Sequence, residues 1–197
     1  MAAIGAKQRT SGWGYASALF LAAAVVLTFT WVGPAAGFQS PSAARILFFH
    51  LPVALLLVYW YLVAAVCGAR YLLSRAIVWD QRAAAAAEVG LLCTVLATVS
   101  GAVFARMQWL SWWNWDPKQV AVVIVMLIYA AYFALRGAIG EHADLRARLG
   151  AVYAILGGVA TPYIVKVMGQ RPGTVHPNDT LVRWQLSLDY SVAFLLA

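Results

Sequence analysis

The chain has 197 residues, of which 63% are apolar and only 11% charged, and its formal net charge is +7. A soluble domain typically carries about 25% charged residues, so a mean hydropathy of +0.77 excludes a water-facing globule. The basic residues stand singly in the connections, without a basic run or zinc-ligand spacing, which argues against a nucleic-acid partner and for membrane lipid or ligand carboxylates.

Five apolar segments follow in chain order at about residues 15–33, 46–67, 83–105, 120–139 and 149–168, each near the ~20 residues that cross a bilayer as a helix. The first follows Lys7 and Arg9 and exceeds a signal h-region of about 7–15 residues, so it reads as a retained anchor. The charge-rich stretch 69–82 reads as the connection between the second and third spans. A sixth segment starts near Leu186 and stops at Ala197, too short to span. The expected fold class is all-α. It is a single polytopic membrane helix bundle over residues 1–197, with five full spans plus a partial sixth. With the N-terminus inside, eight of the 14 Lys and Arg residues fall on the inner side. The other six are Arg45, Arg106, Lys118, Lys166, Arg171 and Arg183. That majority follows the positive-inside rule weakly, and so basic an outer face requires its own explanation.

Span parity groups the polar residues whatever the orientation. His50 begins span two, a tryptophan-rich stretch separates spans three and four, and His176 follows span five. All three lie on one side, and His142 lies on the other. Two buried-type cysteines, Cys67 and Cys93, have no C-x-x-C spacing and read as membrane thiols.

The stretch from Met107 to Gln119 holds Trp109, Trp112, Trp113 and Trp115. An interfacial aromatic belt accounts for one or two tryptophans per connection; four in seven residues suit a platform for a flat, apolar, polarizable ligand. If the segment is helical, Trp109, Trp112, Trp113 and Asp116 share one face. Asp116-Pro117-Lys118-Gln119 also reads as an N-cap, a proline at N1 and a capping-box Gln at N3. Capping and ligand binding are compatible roles for Asp116. Lys118 opposes the helix dipole in that first turn, which favours an external anionic partner.

His50 lies in Arg45-Ile46-Leu47-Phe48-Phe49-His50-Leu51-Pro52, at the end of an apolar helix. Alone, such a ring is either hydrogen-bonded or a ligand. Two imidazoles flanking an aromatic shelf are the parts that hold a planar iron porphyrin axially. Arg45, Arg106, Lys118, Arg171 and Arg183 are then candidates to face its propionates. The absence of C-x-x-C-H means that such a haem is not attached as in a c-type cytochrome.

Trp109 to Lys118 resembles the "WWD" signature of the haem-handling proteins of cytochrome c maturation. Arg45–Pro52 looks like the segment carrying their first outer histidine, and the order of spans is similar to the haem exporter C (CcmC-type) branch over essentially the whole chain. One departure is Leu110, where the family carries glycine after the first tryptophan. The resemblance implies Trp109, Trp112, Trp113, Trp115 and Asp116 as a haem platform, with His50 and His176 as axial ligands. It implies haem b (iron protoporphyrin IX), held non-covalently on the extracytoplasmic face of a bacterial inner membrane. A relay and not an enzyme is expected, passing haem to a periplasmic haem chaperone beside ABC transporter subunits and a small single-span subunit.

Two other classes compete. A b-type electron-transfer cytochrome needs paired histidines within spans, and none of the three histidines lies mid-span. A multi-pass solute transporter often shows internal repeats and broken helices; no repeat is visible, although Gly157, Gly158 and Pro162 are candidates to bend span five. Glu88, the one carboxylate inside a span, either lines a polar path or reaches the inner interface.

Overall fold

In hydrocarbon a backbone polar group has no water to bond, so an apolar chain satisfies its amides within each segment as helix. The computed structural model describes residues 12–34, 38–167 and 171–176, and every regular element among them is helical. In order these are α1 (Gly12–Thr30), a 3-10 turn (Ser42–Ile46), α2 (Leu47–Ser74), α3 (Ile77–Trp109), α4 (Pro117–Ile139) and α5 (Ala143–Val167). Among the described residues four helices are long and apolar enough to cross a membrane: Ser42–Ser74 (α2 with its 3-10 lead), α3, α4 and α5. The first expected span is shorter than these, with its apolar helix at Gly14–Thr30. The partial sixth segment from Leu186, with Arg183, lies outside the described residues.

The expected connection over 69–82 is mostly helix. α2 continues to Ser74, Arg75 turns left-handed at φ 57° with its N–H on the Tyr71 carbonyl, and α3 starts at Ile77. Arg70 and Arg82 both lie over the Trp79 ring, 4.7 Å from its centroid. Long cationic side chains of this kind carry their charge toward the headgroups while their stems stay on apolar surface, so the charges do not interrupt the helices. α3 has 33 residues, about 50 Å at ~1.5 Å per residue, and outreaches a hydrocarbon core of ~30 Å.

α2 packs chiefly on α3 and α5, and α4 on α5 and α3. Small residues permit the close approach that membrane helices need: a Cβ on Gly158 would stand 2.6 Å from the Tyr61 carbonyl oxygen. The bundle centre is aromatic. The rings of Tyr61 and Tyr129 stack with centroids 3.4 Å apart, and the Tyr61 hydroxyl shares a 2.8 Å hydrogen bond with Thr94. At one end of the bundle Arg136 of α4 donates to both oxygens of buried Asp80 of α3, at 2.6 and 3.0 Å. His142, between α4 and α5, belongs to that end. The start of α2, the end of α3, the start of α4 and the end of α5 meet at the other.

Candidate functional site: a two-histidine cavity beside the tryptophan loop

At that second end a cavity of about 400 Å³ opens between α2, α3, α4 and α5. Leu51, Ala54, Leu55, Val122 and Val165 supply much of its wall, and the polar groups reaching it include His50, His176, Lys118 and Lys166. Its size falls within the ~300–1,000 Å³ of small-molecule sites.

The first imidazole is held by α3. His50 Nδ1 lies 3.1 Å from the Ser100 hydroxyl, which gives its own hydrogen to the Leu96 carbonyl at 2.6 Å. A hydroxyl has one hydrogen, so Ser100 accepts here and His50 Nδ1 donates. Nε2 is left as the lone-pair nitrogen. Gly101 makes room for the ring, since a Cβ there would come 3.0 Å from His50 Cε1.

The second imidazole is held by the start of α4. Beyond α5 the chain turns at Pro172 and Gly173, where φ is 91°, a backbone state open to glycine without steric cost. Thr174 to His176 then settle on Asp116. His176 Nδ1 stands 2.8 Å from Asp116 Oδ1, the Val175 N–H donates to Oδ2 at 2.7 Å, and the Thr174 hydroxyl donates at 2.9 Å. The same carboxylate accepts from the Lys118 N–H at 2.8 Å and completes a capping box with Gln119, with Pro117 at N1. A carboxylate only accepts, so His176 also carries its hydrogen on Nδ1 and presents Nε2. Carboxylates and hydroxyls behind metal-binding histidines fix the tautomer in this way.

Burial alone raises the Asp116 carboxyl. The N–H groups of Lys118 and Val175, with the Thr174 hydroxyl, outweigh it and hold the group below the ordinary carboxylate value. Burial lowers His176 below an ordinary histidine; Asp116 opposes that and Lys118 adds to it. The neutral ring is therefore the favoured form.

The tryptophans do not form one helical face. α3 ends at Trp109 because Leu110 adopts the left-handed region at φ 59°, and Trp115 does the same at φ 57°, so 110–116 is loop. The Arg106 guanidinium donates to the Leu110 carbonyl and fastens this turn. Trp109 sets its ring edge-on to His176, centroids 5.0 Å apart, and Trp113 lines the cavity. Trp112 and Trp115 are 58% and 71% exposed. Trp115 meets Trp113 at right angles, with centroids 5.8 Å apart.

The arginines also divide. Arg45 donates twice to the Val32 carbonyl, at 2.7 and 3.2 Å, tying the 3-10 turn to the end of α1. Arg171 is exposed. The structure thus gathers His50, His176, Trp113 and Lys118 around the cavity and leaves Arg45 and Arg106 on backbone carbonyls. Sequence reasoning missed Lys166 and Ser100 as parts of this site. A lysine in the last turn of α5 reads as a membrane flank, although span parity already grouped it with His50 and His176.

These features define a multi-pass membrane helix bundle with a polar-tipped apolar cavity at one end. The family described as CcmC, heme exporter protein C, matches residues 3–194, and the chain belongs to that family. Heme exporter protein C of Paracoccus denitrificans is 34% identical over 161 residues, covering 77% of this chain and 63% of that protein. The Rhodobacter capsulatus protein of the same name is 32% identical over 144 residues, covering 73% and 58%. The Escherichia coli one is 28% identical over 182 residues, covering 90% and 72%. The chain therefore spans less than two thirds of the first two relatives.

Proposed function

We propose that this protein holds haem b, non-covalently and as cargo, in the two-histidine cavity, and passes it on for cytochrome c assembly. The observation that carries the reading is the pair of histidines on one apolar cavity, each with Nδ1–H committed to a neighbour and the lone pair of Nε2 available to a ligand. Among the described residues no group of three or more His, Cys, Asp or Glu could hold a bare metal ion. Two axial imidazoles suit an ion that arrives with its equatorial ligands, as iron in porphyrin does. Trp113 supplies an aromatic wall, and Trp109 buttresses His176.

In this reading the cavity end faces the periplasm of a bacterial inner membrane, and a periplasmic haem chaperone receives the cargo. ABC transporter subunits and a small single-span subunit are its companions. The family description, heme exporter protein C, supports haem as the cargo. The chain's own work is to bind and to orient both rings. The test is the absorption spectrum of detergent-purified protein with and without added haem. A low-spin spectrum saturating at one haem per chain is expected; no specific binding overturns the reading.

A further inference from the structure

We propose that Arg70 and Arg82, converging on Trp79 at the end of the bundle away from the cavity, form a seat for the phosphate headgroup of an anionic phospholipid. The inference is independent of the haem reading. Arg70 lies near the end of α2 and Arg82 near the start of α3, and each guanidinium carbon is 4.7 Å from the centroid of the Trp79 ring. The two charges therefore stand no farther apart than twice that distance. The ring's electron-rich face attracts each cation but leaves the repulsion between them. Among the described residues neither guanidinium has a carboxylate partner; Asp80 is taken by Arg136 and Asp144 by Arg148. Arg75 adds a third cation at this corner, 6.0 Å from the centroid of the Tyr71 ring. Arginines without an internal counter-ion are completed by an external one, and phosphate suits the guanidinium geometry.

The surroundings select a lipid as the source of that phosphate. Leu62, Val66 and Arg70 follow one another at every fourth residue along one face of α2, and all three are exposed. At the same corner Leu73 is 87% exposed and Ile77 51%. An apolar strip headed by a cation matches an acyl chain below its phosphate, whereas an acidic protein surface has no use for the strip. Trp79 packs against the buried cluster of Tyr71, Ala147 and Ala151, so the ring on which the arginines meet is itself held in place. Basic pockets between membrane helices recognise anionic headgroups in this way. A zwitterionic headgroup carries the same phosphate but neutralises it with its own ammonium.

The experiment is native mass spectrometry of the detergent-purified chain with equal amounts of phosphatidylglycerol and phosphatidylcholine, matched in acyl chains and different in net charge. Wild type is expected to prefer phosphatidylglycerol by about tenfold, below the full contribution of two basic groups at an anionic surface because the ring already satisfies each in part. Arg70→Gln/Arg82→Gln is expected to bring the preference near parity. Arg146→Gln/Arg148→Gln, an equal loss of charge at the same end, is expected to keep it. Equal losses in both double variants overturn the seat and leave only diffuse attraction to positive charge. No preference in wild type overturns lipid recognition and leaves an acidic protein surface as the partner. Melting in detergent supplies the second arm: phosphatidylglycerol is expected to raise the Tm of wild type more than that of Arg70→Gln/Arg82→Gln. If inorganic phosphate alone reproduces that rise, the site takes a free anion and the proposal falls. If the double variant does not fold, Arg70→Gln alone decides, and an unchanged preference there overturns the seat.

Discussion

Asp116 and His176 are 60 residues apart in the chain, yet their side chains meet at 2.8 Å, and the carboxylate that starts α4 also orients the imidazole after α5. One residue therefore joins helix capping to ligand geometry. Asp116→Asn separates the two roles, because asparagine caps as well as aspartate but its amide nitrogen cannot accept from Val175 or Thr174. The variant is expected to fold and insert normally and to retain about tenfold less haem, the 10- to 100-fold range of lost supporting contacts at ligand sites. Haem-to-protein ratio after purification is the measurement, and an unchanged ratio reduces Asp116 to a cap.

His50→Ala and His176→Ala are each expected to convert bound haem from six-coordinate low-spin to a five-coordinate form, with added imidazole restoring the parent spectrum. His142→Ala is expected to change nothing, since it lies at the opposite end of the bundle. Ser100→Ala is a milder probe of His50. It frees the ring's tautomer and should weaken retention without altering spin state. Optical spectra that match the parent in both histidine variants would remove these residues from the site.

Among the tryptophans the effects should divide. Trp113→Ala removes a cavity wall, and Trp109→Ala removes the ring that meets His176 at 5.0 Å; both are expected to lower haem content. Trp112→Ala, at a position 58% exposed, should affect it least. Equal losses at Trp112 and Trp113 would contradict this division.

Acid should loosen the His176 segment. The folded-state pKa of His176 is depressed below 6.5, so its contribution to docking is fully present above the unfolded value. It is lost as pH falls through the depressed folded value. Asp116, also depressed, keeps its charge until pH falls below the ordinary carboxylate value of 3.8. Amide exchange over 171–176 should therefore accelerate as pH falls below about 6.5, after correction for intrinsic rates. His176→Gln should abolish this first acceleration; its persistence in that variant would assign the effect elsewhere.

Leu110 supplies a stability test. A non-glycine residue in the left-handed region costs about 1–2 kcal/mol, and glycine returns part of that as unfolded-chain entropy. Leu110→Gly is expected to stabilise the protein by up to about 1 kcal/mol, seen as a higher Tm in detergent with haem content unchanged. A lower Tm would show that the Leu110 side chain packs more usefully than its backbone strains.

Local chemistry made part of this legible in the sequence. Asp116-Pro117-Lys118-Gln119 was readable as a cap because every interaction lies within one turn, and helix parity placed His50 and His176 at one end. The helical tryptophan face failed because periodicity carries no sign of a left-handed leucine; the family's glycine at that position was the available hint. Arg45 and Arg106 were legible as cations at the same end as His50, but their carbonyl partners, Val32 and Leu110, follow from loop geometry. Helix continues through the charged stretch before residue 83, which hydropathy did not show, because Arg70 and Arg82 find a common ring in Trp79.

The Asp80–Arg136 pair fixes where a tilt of α4 would pivot. Its two hydrogen bonds fasten α3 to α4 at the far end of the bundle, whereas at the cavity end a seven-residue loop joins the same helices. A lever pinned at one tip moves most at the other. α4 has 23 residues, about 35 Å at ~1.5 Å per residue, so a tilt of roughly 5° about the ion pair displaces its cavity end by ~3 Å. That is close to the thickness of an aromatic ring, reached without breaking a backbone hydrogen bond in any span.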